Sequence, residues 1–165
     1  MTLSIKPAPI RRSLQIKAGQ QKAFDVFTAG MGRWWPPSHS LLKAPRADVV
    51  MEPRAGGRWY ERAVDGSECN WGRVVSWEPP GRVLLAWQLS GEWRFDPDFE
   101  TALEILFLPE SETVTRIELE HRDIEKFGEA EEMARRSLDS DGGWTGVLRA
   151  FAELLEGPPE GRITP

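Results

Sequence analysis

The last part of the chain carries an apolar stripe that a folded domain must cover. Trp144, Val147, Leu148, Phe151, Leu154 and Leu155 recur at three- and one-residue steps, which puts them on one face of a helix. Asp141 is placed to cap that helix and Gly157-Pro158-Pro159 to end it, after about 20 Å at the usual rise per residue. Phe127, Ala130, Ala134 and Leu138 keep helical spacing over 124–138, so a separate, shorter helix is predicted there, with Gly142-Gly143 as the joint. Something else in the chain must offer this stripe an apolar surface.

Alternating segments offer it. Phe99, Leu103, Ile105 and Phe107 share one face while Glu100, Ala102 and Glu104 take the other; Thr115, Ile117, Leu119 and His121 oppose Arg116, Glu118 and Glu120. Such one-sided alternation predicts antiparallel strands with one solvated face. Further strands are read around Val49 and Met51, over 58–62, 68–78 and 82–89, and a first one over 9–17. Short reversals join them: Asp65-Gly66 signals a type I′ hairpin, and Pro79-Pro80-Gly81 and Pro109 to Glu112 mark two more turns. Between the first strand and this meander, Ala23, Phe24 and Phe27 mark an amphipathic helix. Gly30 and Gly32 weaken that helix, and Pro36-Pro37 end it. The predicted class is α+β: a curved antiparallel sheet of about seven strands wrapped around a long C-terminal helix, with two short helices after the first strand. A twisted sheet cannot touch a straight helix along its whole length, so this arrangement leaves a cavity between them.

A length of 165 residues suits a single domain, with an ordered core expected over about 8–157 and a frayed tail over 158–165. A net charge of -5, and no basic run interleaved with aromatics, argue against nucleic acid as a partner. No signal-like or membrane-spanning apolar run is present, and the single cysteine, Cys69, fits a reducing compartment, so a cytoplasmic location and no membrane partner are expected. His39, His121 and Cys69 lack metal-ligand spacing, and no motif for a nucleotide or other cofactor occurs; neither metal nor cofactor is expected.

Several segments carry a family likeness: Ala23 to Phe27 leading to Trp34-Trp35-Pro36, Glu52-Pro53-Arg54-Ala55-Gly56-Gly57-Arg58-Trp59, and Trp71-Gly72-Arg73-Val74 followed by Glu78-Pro79-Pro80. Val83 to Trp87, Thr115 to His121, and Gly143-Trp144 opening the last helix extend it. In these the chain resembles the homologues of the activator of the 90-kDa heat-shock protein ATPase, within the START-like, birch-pollen-allergen-like helix-grip superfamily. The resemblance implies a helix-grip fold with a pocket and, more distantly, a chaperone partner and a role in stress response. A fold of this kind does not dictate a reaction.

Eight tryptophans invite an aromatic-walled pocket as well as an aromatic core. The candidate ligand-contacting residues are Phe27, Trp34, Trp35, His39, Trp59, Glu61, Trp87, His121, Trp144 and Leu148. Trp34, Trp35 and His39 are expected at the pocket entrance, with at least one of the two indoles packed inward on Phe27 or the long helix. Glu61 should share the inner face with Trp59 and, being buried, needs a partner such as His121 or Arg73. The segment 90–98 exposes Trp93 and Phe95 and reads as a folded-back loop or a lid. Three functions are weighed. The leading one is non-enzymatic binding of a small apolar or amphipathic ligand. The others are a co-chaperone-like regulator and a cyclase- or hydrolase-type enzyme using Glu61 and His121 for proton transfer; no residue is assigned as catalytic.

Overall fold

The computed structural model describes residues 8–157. The expected tail over 158–165 lies outside the described residues. The chain runs β1 (Ile10–Ile16), α1 (Gln20–Thr28), α2 (Met31–Trp34), a 3-10 turn (Pro37–His39), then β2 (Arg46–Met51), β3 (Arg58–Ala63), β4 (Glu68–Glu78), β5 (Arg82–Trp87), β6 (Thr101–Ser111) and β7 (Val114–Arg122). A 3-10 segment (Ile124–Ala130), α3 (Glu131–Asp139) and α4 (Trp144–Glu156) complete it. All neighbouring strands are antiparallel in the order β1-β7-β6-β5-β4-β3-β2, so six strands form a meander and the first closes on the last. Register shifts in four of the six pairings add the local twist that curls the sheet into a half-barrel around α4. This is the helix-grip fold.

Burial follows the alternation. Along β6, Thr101, Leu103, Ile105 and Phe107 are buried; along β7, Thr115, Ile117, Leu119 and His121 are. From α4 they meet Trp144, Val147, Leu148 and Phe151, all buried, while Leu155 is partly buried against the core and Leu154 is exposed. The stripe thus reaches Leu155, with Leu154 alone turned out of it.

The other differences are local. Asp65 does not take a positive φ and Gly66 does, with Gly66 N–H donating to Ala63 O and Ala63 N–H to Ser67 O. The reversal is thus a three-residue type I turn closed by a glycine bulge, not the two-residue type I′. The helix expected over 124–138 breaks at Gly128, whose φ of 61° no α-helix accepts, giving a 3-10 segment and then α3. Helix α4 is capped by Gly143 without a side-chain bond, not by Asp141. A Cβ on Gly143 would stand 2.2 Å from the Leu138 carbonyl oxygen, so the joint between α3 and α4 can be this tight only with glycine. Gly32 plays the same part in α2: a Cβ there would run into Asp48 of β2.

Candidate functional site

Two aromatic clusters fill the groove between sheet and helix. At the closed end Phe24 and Phe27 pack edge-on against Phe107, and Phe27 meets Phe151 of α4. Trp34 is sealed there: its ring contacts Phe27 and Phe151, and its indole N–H donates to the Val26 carbonyl. Leu148 is likewise buried in the core. Phe27, Trp34 and Leu148 therefore build the floor of the grip and do not line its cavity.

At the open end the tryptophans take over. Trp35 touches Trp71 at 5.0 Å and Trp144 at 6.1 Å between ring centroids, and Trp87 meets Trp144 at 5.5 Å. These four indoles wall a cavity of about 210 Å³. Leu41, Leu89 and Val147 add apolar surface. On the α3–α4 side the lining is Leu138 together with Ser137, Ser140, Gly142 and Gly143, whose small size leaves the space open. Trp59 is fully buried behind the wall, in ring contact with Trp35, Trp71 and Trp87, and donates its N–H to Met31 Sδ at 3.3 Å. Of the ten candidates, Trp35, His39, Trp87 and Trp144 line the cavity.

The buried polar residues hold this wall in place. Both oxygens of Glu61 are engaged: Trp71 Nε1–H donates to Oε1 at 3.1 Å, Leu41 N–H to the same atom at 2.7 Å, and Ser40 Oγ to Oε2 at 2.7 Å. Glu61 thus ties one wall indole to the segment 36–45. Arg46 assists by donating to the Trp35 and Pro36 carbonyls; burial lowers its pKa, and Glu61 and Asp48 act against that. Neither expected partner of Glu61 is the real one: Arg73 pairs with Glu100 at 2.8 Å and His121 is engaged elsewhere. The pattern of alternation could place Glu61 inside but could not show that a loop's own N–H and hydroxyl would satisfy it.

His121 is fully buried. Trp144 Nε1–H donates to its Nδ1 at 3.1 Å, so the ring proton sits on Nε2 and faces Thr101 Oγ1 at 2.7 Å. The Thr101 hydroxyl is then free to donate to the Trp87 carbonyl at 3.4 Å. Burial alone pushes the His121 pKa down to about 3, so the imidazole is neutral near pH 7 and braces Trp144. Glu61 and His121 share no hydrogen bond and neither lines the cavity.

The rim is lighter. His39 Nε2–H donates to the Gly142 carbonyl at 2.8 Å, and Ser38 Oγ is 3.1 Å from Nδ1. This joins the segment 36–45 to the α3–α4 joint. Trp93 covers the opposite side, edge-on to Trp87 at 6.2 Å. The wall residues Leu41, Trp71 and Leu89 were not among the sequence candidates; the Trp71-Gly72-Arg73-Val74 segment was the one signal that could have found Trp71. Among the described residues no group of three His, Cys, Asp or Glu could hold a metal ion, and no helix is long and apolar enough to cross a membrane.

Known proteins share this architecture. An anthrahydroquino-γ-pyrone synthase, Txn09, is 36% identical, with a TM-score of 0.65 over 90% of this chain and 97% of that one. CalC, a self-sacrificing resistance protein from Micromonospora echinospora, is 28% identical, with a TM-score of 0.69 over 90% and 94%. The Aha1 dimer from Colwellia psychrerythraea, 16% identical with a TM-score of 0.60 over 92% and 98%, shares the fold. No curated protein matches the chain in sequence. The model of one family, described as activator of Hsp90 ATPase homolog 1-like protein, matches residues 17–156. That span runs from the end of β1 through α4 and takes in every residue of the cavity wall, and by it the chain belongs to the activator of Hsp90 ATPase homolog 1-like family.

Proposed function

We propose that this protein binds a small, flat, largely apolar molecule between the indoles of Trp35, Trp71, Trp87 and Trp144. One observation carries the reading: four indoles converge on space that no side chain fills, at the end of the grip where the helix joint is built from glycine and serine. Indole faces favour an aromatic ligand, because offset and edge-on ring contacts add to the gain from burial. Txn09, whose name makes it a synthase of a polycyclic aromatic anthrahydroquino-γ-pyrone, supports the same ligand class.

The reading is of binding without a Glu61–His121 relay. Both groups are fully occupied in bracing the wall, and a histidine with a pKa of about 3 is a poor base near pH 7. Native mass spectrometry and calorimetry with a panel of phenols, naphthols and hydroxyquinones are expected to show a one-to-one complex that Trp144→Ala or Trp71→Ala weakens. No complex with any member would overturn the reading. The 36% identity to a synthase favours a second reading, in which the bound molecule is also converted; a product of altered mass in the same incubations would establish it. Regulation of a chaperone rests on the family description alone, and unchanged ATPase rates of the 90-kDa chaperone with the protein added would remove it.

A further inference from the structure

We propose that Trp93 is the size-selecting gate of this cavity: it decides how large a planar ligand the indole wall accepts. The inference rests on the binding reading above and concerns a residue of the loop between β5 and β6. Trp93 is 43% exposed, whereas the wall indoles are nearly inaccessible, Trp35 at 5% and Trp87 at 3%. A large aromatic ring left that open lacks the packing that fixes the others. Its backbone is also strained, with a φ of 60°, a region that bulky side chains avoid. Asp123 is the other non-glycine residue with positive φ among the described residues, and aspartate tolerates it.

The strain has a location that gives it meaning. The base of the loop is fastened: Leu89 bridges Phe95, Ser90 N–H donates to Arg94 O, and Trp93 N–H donates to Ser90 O. The backbone at the tip is therefore held, and the exposed indole is the part that can move. From that tip the indole borders three spaces at once: the main cavity, a neighbouring one of about 130 Å³ toward Met133 and Ala134 of α3, and an outer one of about 220 Å³ against Ser38 to Leu41. It is the one side chain that lines all three. Trp93 holds in this turn the place that Gly66 holds between β3 and β4, so the turn's own hydrogen bonds keep the positive φ, and the mouth opens as the indole swings about its side-chain bonds.

Size then follows from volume. The main cavity, about 210 Å³, is smaller than the roughly 300 to 1,000 Å³ of pockets that enclose drug-sized molecules. A two-ring compound fits with Trp93 in place. A three- or four-ring compound needs the adjoining spaces, and must displace the indole from its contact with Trp87 to reach them.

The test compares 2-naphthol, 1-hydroxyanthraquinone and 5,12-naphthacenequinone by calorimetry on the wild type, Trp93→Gly and Trp93→Phe. Glycine suits the positive φ and keeps the loop folded, while phenylalanine keeps a ring of smaller reach. The expected result is that Trp93→Gly raises affinity for the four-ring probe relative to naphthol by about tenfold or more, with Trp93→Phe between. An unchanged ratio across the three proteins, with binding retained, would overturn the gate and leave the binding reading standing. Failure of all three proteins to bind any probe would overturn the binding reading and the gate with it.

Discussion

His121 and Glu61 look catalytic on a list of residues and act as braces in the fold. The difference is measurable through acid. An unfolded imidazole titrates near 6.5, and the buried one near 3, so the unfolded chain takes up the proton first. The contribution of His121 to stability is therefore complete above about pH 6.5 and falls as the pH drops toward 3, by roughly 1.4 kcal/mol per unit. His121→Gln can keep both hydrogen bonds without a titrating ring. Urea denaturation at pH 7 and pH 5 should show the wild type losing about 2 kcal/mol more than this variant; equal losses would mean that His121 is not buried neutral. Glu61→Ala removes the acceptor of the Trp71 indole and the Leu41 amide at once. Leaving two buried donors unpaired should cost about 2 to 4 kcal/mol, read from the same melts.

Elements show why some features were legible in the sequence and others were not. Strands β6 and β7 could be read because one face meets solvent and the other the helix, and polarity records that difference at every second residue. The break at Gly128 and the bulge at Gly66 could not, since a glycine states only that unusual φ is allowed, and tertiary context decides whether it is used. The cavity wall was half legible: Trp87 and Trp144 follow from their faces, but the emptiness beside them depends on Ser137, Ser140 and Gly142, which carry no pattern. Gly143 makes the point testable. Gly143→Ala would push the start of α4 away from Leu138, lowering stability and loosening the cavity together, while Trp144→Ala should cost about 3 to 5 kcal/mol through the hole it leaves. Both are read by urea denaturation. The outer face offers a contrast. An ion-pair chain from Arg11 through Glu120, Arg122, Glu104 and Arg82 to Glu78 crosses five strands, yet exposed pairs contribute about 0 to 1 kcal/mol each. Glu104→Gln should therefore change stability by less than about 1 kcal/mol despite breaking two of them.

For the whole molecule, the grip has one closed end and one end that stays open. Phenylalanines and Trp34 complete the core at the first, and the second is held apart by hydrogen-bonded braces around space. Such a domain should gain stability when that space is filled. A ligand at a hundredfold excess over its Kd adds about 2.7 kcal/mol, a rise in Tm on the order of 5 to 10 °C for a chain of this size. Thermal melts with increasing 2-naphthol should climb in this way for the wild type and stay flat for a variant whose cavity is filled, such as Gly142→Leu.

The same tryptophans have an optical consequence. Seven of the eight form one connected network of ring contacts between 5.0 and 6.5 Å: Trp34 meets Trp35, Trp35 meets Trp59, Trp71 and Trp144, Trp59 meets Trp71 and Trp87, and Trp87 meets Trp144 and Trp93. At such separations electronic excitation passes from indole to indole faster than it is emitted, so the ultraviolet emission of the protein belongs to the array and not to any single ring. A quinone lodged against one indole would then darken them all, making the protein an unlabelled sensor of its own cavity.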